Sequence, residues 1–343
     1  MRAAVLTEPG EFELVERDRP EPAADEVLVR MREVGICGSD VHYYEHGRIG
    51  DYVVKGPLVL GHESAGEVAA VGEAVTDLSV GDRVTLEPGV PCRRCEHCKR
   101  GEYHLCPDVT FMATPPDDGA FAEYVAWPAD FAYALPDAVS TRAGALCEPL
   151  SVGIHAARRG GVSTGDIVLI TGAGPIGLSV LEAVGAAGAT EVFVADVVSS
   201  KLDLATDRGA DRTIDVTAAS PEDAVAEHTD GRGVDVVIEA SGAESSVRST
   251  LGAVRRGGTV VLVGLAAMEE IPLDTVGIVD DEIDLHGSFR YANTYSAAVG
   301  MLADGRVDVE GIVDFASPLG DVEAAFRRAM KPEIVKGVIT MEP

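Results

Sequence analysis

Three groups of residues have the types and spacing to do chemistry. The first is Cys92, Cys95, Cys98 and Cys106, a C-x2-C-x2-C-x7-C run. Four thiolates within 15 residues match a closed tetrahedral zinc site. An iron–sulfur cluster also takes four cysteines at comparable spacing. Here the intervening Arg93, Arg94, Glu96, His97, Lys99 and Arg100 are charged, and the run holds thiols for one cluster only. The pattern therefore predicts a loop clipped by structural zinc, closed to substrate. The second group is Gly172-Ala173-Gly174-Pro175-Ile176-Gly177, which fits G-x-G-x-x-G after the apolar run DIVLITG. In that context Gly172 allows a tight turn, Gly174 admits a pyrophosphate and Gly177 lets helix and strand pack, with the helix N-terminus attracting phosphate. Asp196 follows Gly177 by 19 residues and ends the next apolar run. A carboxylate there binds the ribose hydroxyls of NAD and repels a 2′-phosphate. Lys201 offers a cation that could accept one. The plainer reading is a Gly-rich turn and a helix-capping Asp. The third group is Cys37 in VGICGSDVH, His62 and Glu63 in LGHESAG, and Glu148 in CEPLSVG. Thiolate, imidazole and carboxylate suit zinc, and a catalytic zinc keeps three protein ligands and an open position. No local spacing brings these segments together. Taken singly, Cys37 reads as a small buried apolar residue, His62 as a core histidine and Glu148 as a loop carboxylate.

The elements that would position these groups fall into two textures. Over the first 150 residues, EVLVRMREVG, SAGEVAAVG and GDRVTLEP alternate between Gly and Pro breaks, which predicts half-buried antiparallel strands. From about Thr164, strand-like DIVLITG, EVFVAD, VDVVIEAS and GTVVLVGL alternate with helix-like PIGLSVLEAVGAAG and KLDLATDRG. That order predicts a doubly wound parallel sheet. Two helices, TYSAAVGMLADG and DVEAAFRRAM, and a last strand, KGVITME, follow Arg290. The domain boundary is placed near Gly153–Thr164.

The chain has 343 residues, and 46% of them are apolar but only 5% aromatic. That is enough for about two domains with cores of Val, Leu, Ile and Ala, and it excludes disorder, collagen and a disulfide mini-protein. The formal net charge is −29, and lysine occurs only at Lys55, Lys99, Lys201, Lys331 and Lys336. Such a surface does not attract a nucleic-acid backbone or an anionic membrane. It points to a salty working medium, because self-repulsion at low ionic strength opposes compaction. No run of about 20 apolar residues would span a bilayer, and MRAAVLTEPGEFELVE lacks a signal-peptide layout. A cytoplasmic protein with reduced thiols is expected.

GHE, the four-cysteine lobe and GAGPIG together resemble the zinc-dependent medium-chain dehydrogenase/reductase superfamily. VGICGSDVHYYEHGRIG, ATPPDDG, EPLSVGIHAARRGGV and FRYANT resemble its sorbitol (L-iditol) and xylitol dehydrogenase branch, over essentially the whole chain. The resemblance implies an α/β protein. A GroES-like β-rich catalytic domain spans 1–153 and 290–343, with the zinc lobe at 90–108, and a Rossmann NAD-binding domain spans 154–289. It implies NAD and two zinc ions per chain, a polyol substrate and a homotetramer. Cys37, His62 and Glu63 match the catalytic zinc ligands. Glu148 stands where other alcohol dehydrogenases have a second zinc cysteine, and in the polyol branch it serves the metal or its water. Ser39 matches the hydroxyl that relays the substrate proton, with Glu148 as base. Tyr43, Glu148, Arg290 and Tyr291 match the polyol site. Gly172, Gly174, Ile176, Gly177, Asp196, Lys201, Val263, Gly264, Leu265, Ser288, Phe289 and Arg290 match cofactor contacts. The activity implied is NAD-dependent oxidation of a sugar alcohol to a ketose. Rival readings are a zinc dehydrogenase for threonine or glucose, a zinc-free quinone reductase, and a relative that binds without turnover.

Overall fold

The computed structural model describes residues 1–266 and 270–341; residues 342–343 of the expected catalytic domain lie outside them. The chain divides into Met1–Glu148 with Tyr295–Pro343, and Pro149–Thr294. The first junction falls inside a helix, Cys147–Gly160, so no break in hydrophobic pattern marks it.

The N-terminal part of the first unit opens with β1 (Arg2–Glu8), β2 (Glu11–Glu16) and β3 (Glu26–Gly35). Helix α1 (Gly38–His46) and strands β4 (Leu58–Val59), β5 (Glu63–Val71), β6 (Arg83–Leu86), β7 (Tyr124–Pro128) and β8 (Ala132–Ala134) follow. β1, β2 and β4 form a three-stranded sheet in the order β2-β1-β4. The alternation in EVLVRMREVG predicts one wet face, but Val27, Leu28 and Val29 are all buried. β3 pairs with β5 and β7 along its two edges, and the burial of consecutive side chains shows that other parts of the unit cover both of its faces, which favours a continuous apolar run.

In the second unit, β9 (Ile167–Thr171), β10 (Glu191–Asp196), β11 (Arg212–Asp215), β12 (Val234–Glu239), β13 (Val254–Leu262) and β14 (Asp284–Gly287) form one sheet in the order β11-β10-β9-β12-β13-β14. Every pairing in it is parallel. The order reverses between β9 and β12, and in such sheets the crevice at the strands' carboxyl ends at that point takes the ligand. Helix Pro175–Ala187 leaves β9 through the glycine turn, with proline in its first turn, where a missing N–H costs nothing. Leu169, Phe193, Val237 and Val260 fill this core.

The chain then adds β15 (Val313–Pro318) and β16 (Lys336–Thr340) to the first unit. They complete a seven-stranded sheet in the order β8-β6-β5-β3-β16-β15, with β7 also on β3. In register, Gly35 faces Glu63 on β5 and Val338 on β16. This places one end of β3 between the two strands that carry Glu63 and Lys336. Val29, Met31, Phe121, Trp127, Phe315, Phe326 and Ile339 pack together in that unit's core.

Candidate active site

Cys37 precedes α1 as its N-cap, and Asp40 in the first helical turn accepts the Cys37 amide at 3.0 Å. This reciprocal arrangement starts a short helix that has little amphipathic pattern of its own. The other Asp40 oxygen accepts the Gly61 amide at 3.0 Å and lies 3.6 Å from His62 Nδ1. Asp40 is fully buried. It therefore joins the Cys37 and His62 segments and sets a negative charge beside the imidazole, where a carboxylate stands behind many metal-binding histidines. Ligand atoms of Cys37, His62 and Glu63 all lie within 4.8 Å of one another. Burial pushes His62 down, but the Asp40 carboxylate and the Cys37 thiol outweigh it and hold the imidazole well above 6.5. A metal ion arriving there displaces a proton.

Glu63 is 1% exposed and faces Lys336, also 1% exposed. The ammonium straddles the carboxylate, 2.6 Å from each oxygen, with its hydrogen bond to Oε1. Oε2 is buried and has no hydrogen-bond partner. A buried carboxylate whose oxygen converges with a thiol and an imidazole within 4.8 Å is a donor set suited to zinc, so the residues fit the metal. Burial pushes the Lys336 ammonium down, but Glu63, Cys37 and Glu148 raise it above its usual value, so it stays charged. Glu148 is buried and stands outside the set of converging ligand atoms. Ser39 and Tyr43 lie one turn apart on α1, Tyr43 buried, so both share a helix face. Sequence reasoning passed over Asp40 and Lys336. Their signals were an acid three residues after a potential N-cap and one of five lysines heading an apolar strand.

The four cysteines of the lobe also converge within 4.8 Å. Cys95 Sγ lies 3.3 Å and Cys92 Sγ 4.0 Å from Cys98 Sγ, near the roughly 3.8 Å that tetrahedral zinc–thiolate geometry sets between sulfurs. Backbone amides of Arg94 and Cys95 pull the Cys92 thiol down to about 6, while desolvation and neighbouring thiols push Cys98 up to about 12. The lobe is tied to the sheet by two links. Arg93 makes a bidentate pair with Asp130 at 2.6 and 2.8 Å. Tyr103 and Tyr133 hydroxyls each donate to buried Glu87 at 2.8 Å.

In the second unit, Gly172 holds φ 100° and a Cβ on Gly177 would fall 1.7 Å from Gly172 O. The first position needs the left-handed region and the third has no room for a side chain. Nothing lies within 4 Å of a Cβ placed on Gly174, leaving that backbone open, and Ile176 beside it is half-buried. Asp196 accepts the Ala173 amide at 2.6 Å and the Val198 amide at 2.9 Å, so the acid is held against the glycine turn. Lys201 sits on helix Ser199–Asp207. Val263 and Gly264 donate to Glu239 O, and Leu265 is exposed. The Ser288 amide bonds Leu262 O. Arg290 lies 4.7 Å over the Phe289 ring with φ 51°, a conformation that costs backbone energy and collects at functional positions. Tyr291 is buried. Arg290 and Tyr291 belong to this unit, and Ser39, Tyr43 and Glu148 to the other.

A profile described as the alcohol dehydrogenase GroES-like domain matches residues 23–137, and one described as a zinc-binding dehydrogenase matches 175–304. Sorbitol dehydrogenase of Bacillus subtilis is 46% identical over 331 residues, covering 96% of this chain and 94% of the relative. Among solved structures, an Escherichia coli oxidoreductase/dehydrogenase of unknown specificity superposes with TM-score 0.96 at 38% identity, covering 100% of this chain and 99% of the other. A putative zinc-binding dehydrogenase of Sinorhizobium meliloti, bound to NADP, superposes with TM-score 0.91 at 31% identity, covering 99% and 98%. The zinc-binding dehydrogenase profile, the two converging ligand clusters and the NADP-bound neighbour support zinc and NAD(P) as the cofactors. The chain belongs to the zinc-dependent medium-chain dehydrogenase/reductase family, in its sorbitol dehydrogenase branch.

Proposed function

We propose that the protein oxidises a sugar alcohol of the sorbitol or xylitol type at C2, giving a ketose and NADH. The observation that carries this reading is the convergence of Cys37, His62 and Glu63, a one-sulfur, one-nitrogen, one-oxygen donor set. Those three residues would hold the catalytic zinc, and Cys92, Cys95, Cys98 and Cys106 a structural one. Zinc supplies Lewis acidity that lowers the pKa of a substrate hydroxyl. Ser39 takes the hydroxyl proton and hands it toward Glu148. Arg290 donates hydrogen bonds to further hydroxyls, which an apolar alcohol would leave unanswered. Tyr43 and Tyr291 line the polyol. Gly172, Gly174, Ile176 and Gly177 take the pyrophosphate, and Asp196 the ribose hydroxyls, with Lys201 beside them. Val263, Gly264, Leu265, Ser288 and Phe289 border the nicotinamide. Support for the polyol class comes from Arg290, from Glu148 in place of a second cysteine, and from the name of the Bacillus relative.

Reduction of NAD⁺ followed at the nicotinamide absorbance, with sorbitol, xylitol, threonine, glucose and a primary alcohol, tests the reading. The two polyols are expected to give the highest kcat/KM. Turnover confined to threonine or glucose would overturn it. A homotetramer, from the branch resemblance, is read by light scattering. Among the described residues no helix is long and apolar enough to cross a membrane, and the six cysteines are unpaired. A reducing cytoplasm suits such thiols.

A further inference from the structure

We propose that Lys336 is a positioning residue that competes with zinc for the Glu63 carboxylate and so sets how strongly this ligand donates to the metal. The proposal rests on the reading of Glu63 as a zinc ligand. Lys336 heads β16, is 1% exposed and is 2.6 Å from both Glu63 oxygens. Its ammonium also donates to Ile36 O at 2.9 Å, so the residue before Cys37 helps fix its position. Glu63 has little freedom to move away. A Cβ on Gly35 would fall 2.0 Å from Glu63 Oε2, so the carboxylate occupies the space that a glycine leaves on the strand between Glu63 and Lys336.

A buried carboxylate without a counter-ion is strongly disfavoured. Lys336 supplies that counter-ion when no metal is bound and keeps Glu63 ionised and in place. When zinc binds, the ammonium still draws on the same carboxylate. Glu63 is then a weaker donor, the metal a stronger Lewis acid, and its hold on the metal looser than the donor set alone would give. The fully buried position of one of only five lysines fits a charge placed for this purpose.

The test is cobalt(II) binding at the catalytic position of the full-length protein, with the four-cysteine lobe loaded with zinc. Affinity is read by chelator competition and ligand field by the visible absorption bands. Lys336→Met is expected to bind cobalt about tenfold more tightly, the size but the opposite sign of the usual effect of losing an outer-shell partner, with shifted bands. Lys336→Arg should return both readings toward wild type. In a Glu63→Gln background, Lys336→Met should change neither. If Lys336→Met does not fold, Lys336→Gln, which retains a donor toward Glu63, carries the same expectation. Unchanged or weaker cobalt binding with unchanged bands overturns the proposal, even if the melting temperature falls. If Glu63→Gln itself leaves affinity and bands unaltered, the assignment of Glu63 as ligand fails, and the role of Lys336 falls with it.

Discussion

Asp40 is buried in the first turn of α1, accepting the amides of Cys37 and Gly61 beside His62. One side chain thereby joins two segments that sequence spacing leaves unrelated. The ligands it aligns should be separable from the lobe. Two zinc ions per chain are expected by metal analysis, falling to one in Cys37→Ser with the lobe still loaded. Asp196 makes the matching case for the dinucleotide. It faces the glycine turn through the Ala173 amide, where its charge would meet a 2′-phosphate. Repulsion between two such charges near a surface is worth about 1–4 kcal/mol. Asp196→Ala should therefore shift the ratio of kcat/KM for NADP over NAD upward by roughly tenfold or more. Steady-state kinetics with both cofactors checks this, and a wild type that already prefers NADP would contradict it.

At the level of elements, Glu87 ties the lobe to the sheet through the hydroxyls of Tyr103 and Tyr133. Burial raises the Glu87 carboxyl above its ordinary value, partly offset by the hydroxyls of Tyr103 and Tyr133. A raised pKa in the folded state means that the native protein binds this proton more readily than the unfolded chain. Stability from this group is therefore present at low pH and is lost as pH rises through the folded value. Glu87→Gln, an uncharged side chain that donates to one tyrosine and accepts from the other, should gain melting temperature relative to wild type as pH rises from the ordinary carboxylate range to neutrality and above. Glu87→Ala removes the shared acceptor of two partly buried hydroxyls and should cost up to about 1–3 kcal/mol for each. Equal melting curves for the three proteins across that span would remove Glu87 from the anchoring of the lobe.

For the whole molecule the dominant fact is charge. The net charge is −29 with five lysines, and Lys336 is inside the protein, so at most four lysine ammonium groups face the solvent carboxylates. The Debye length is about 30 Å at 0.01 M and about 3 Å at 1 M. Repulsion spans the protein in the first case and is confined to neighbouring side chains in the second. Melting temperature and activity are expected to rise between roughly 0.1 M and 2–3 M KCl, beyond the range where an ordinary acidic protein is already screened. Thermal melts at both concentrations measure it; coincident curves would mean that the acidic surface carries no adaptation to salt.

Local chemistry was legible in the sequence wherever the reacting groups are close along the chain. The four cysteines lie within 15 residues, and the glycine turn follows its strand and opens its helix, so spacing alone determined both. Order likewise pointed to the parallel sheet through β9, β10, β12 and β13, whereas the short polar strands β11 and β14 carry too few apolar residues to be read from sequence. The catalytic cluster is different. Cys37 and His62 are separated by 25 positions, and Lys336 reaches Glu63 across 273. Their meeting depends on β3 lying between β5 and β16, a register that no local pattern encodes. Tertiary structure alone decided that Glu63 shares its carboxylate with a lysine, because only the closing of the sheet by the last strand buries that charge beside it.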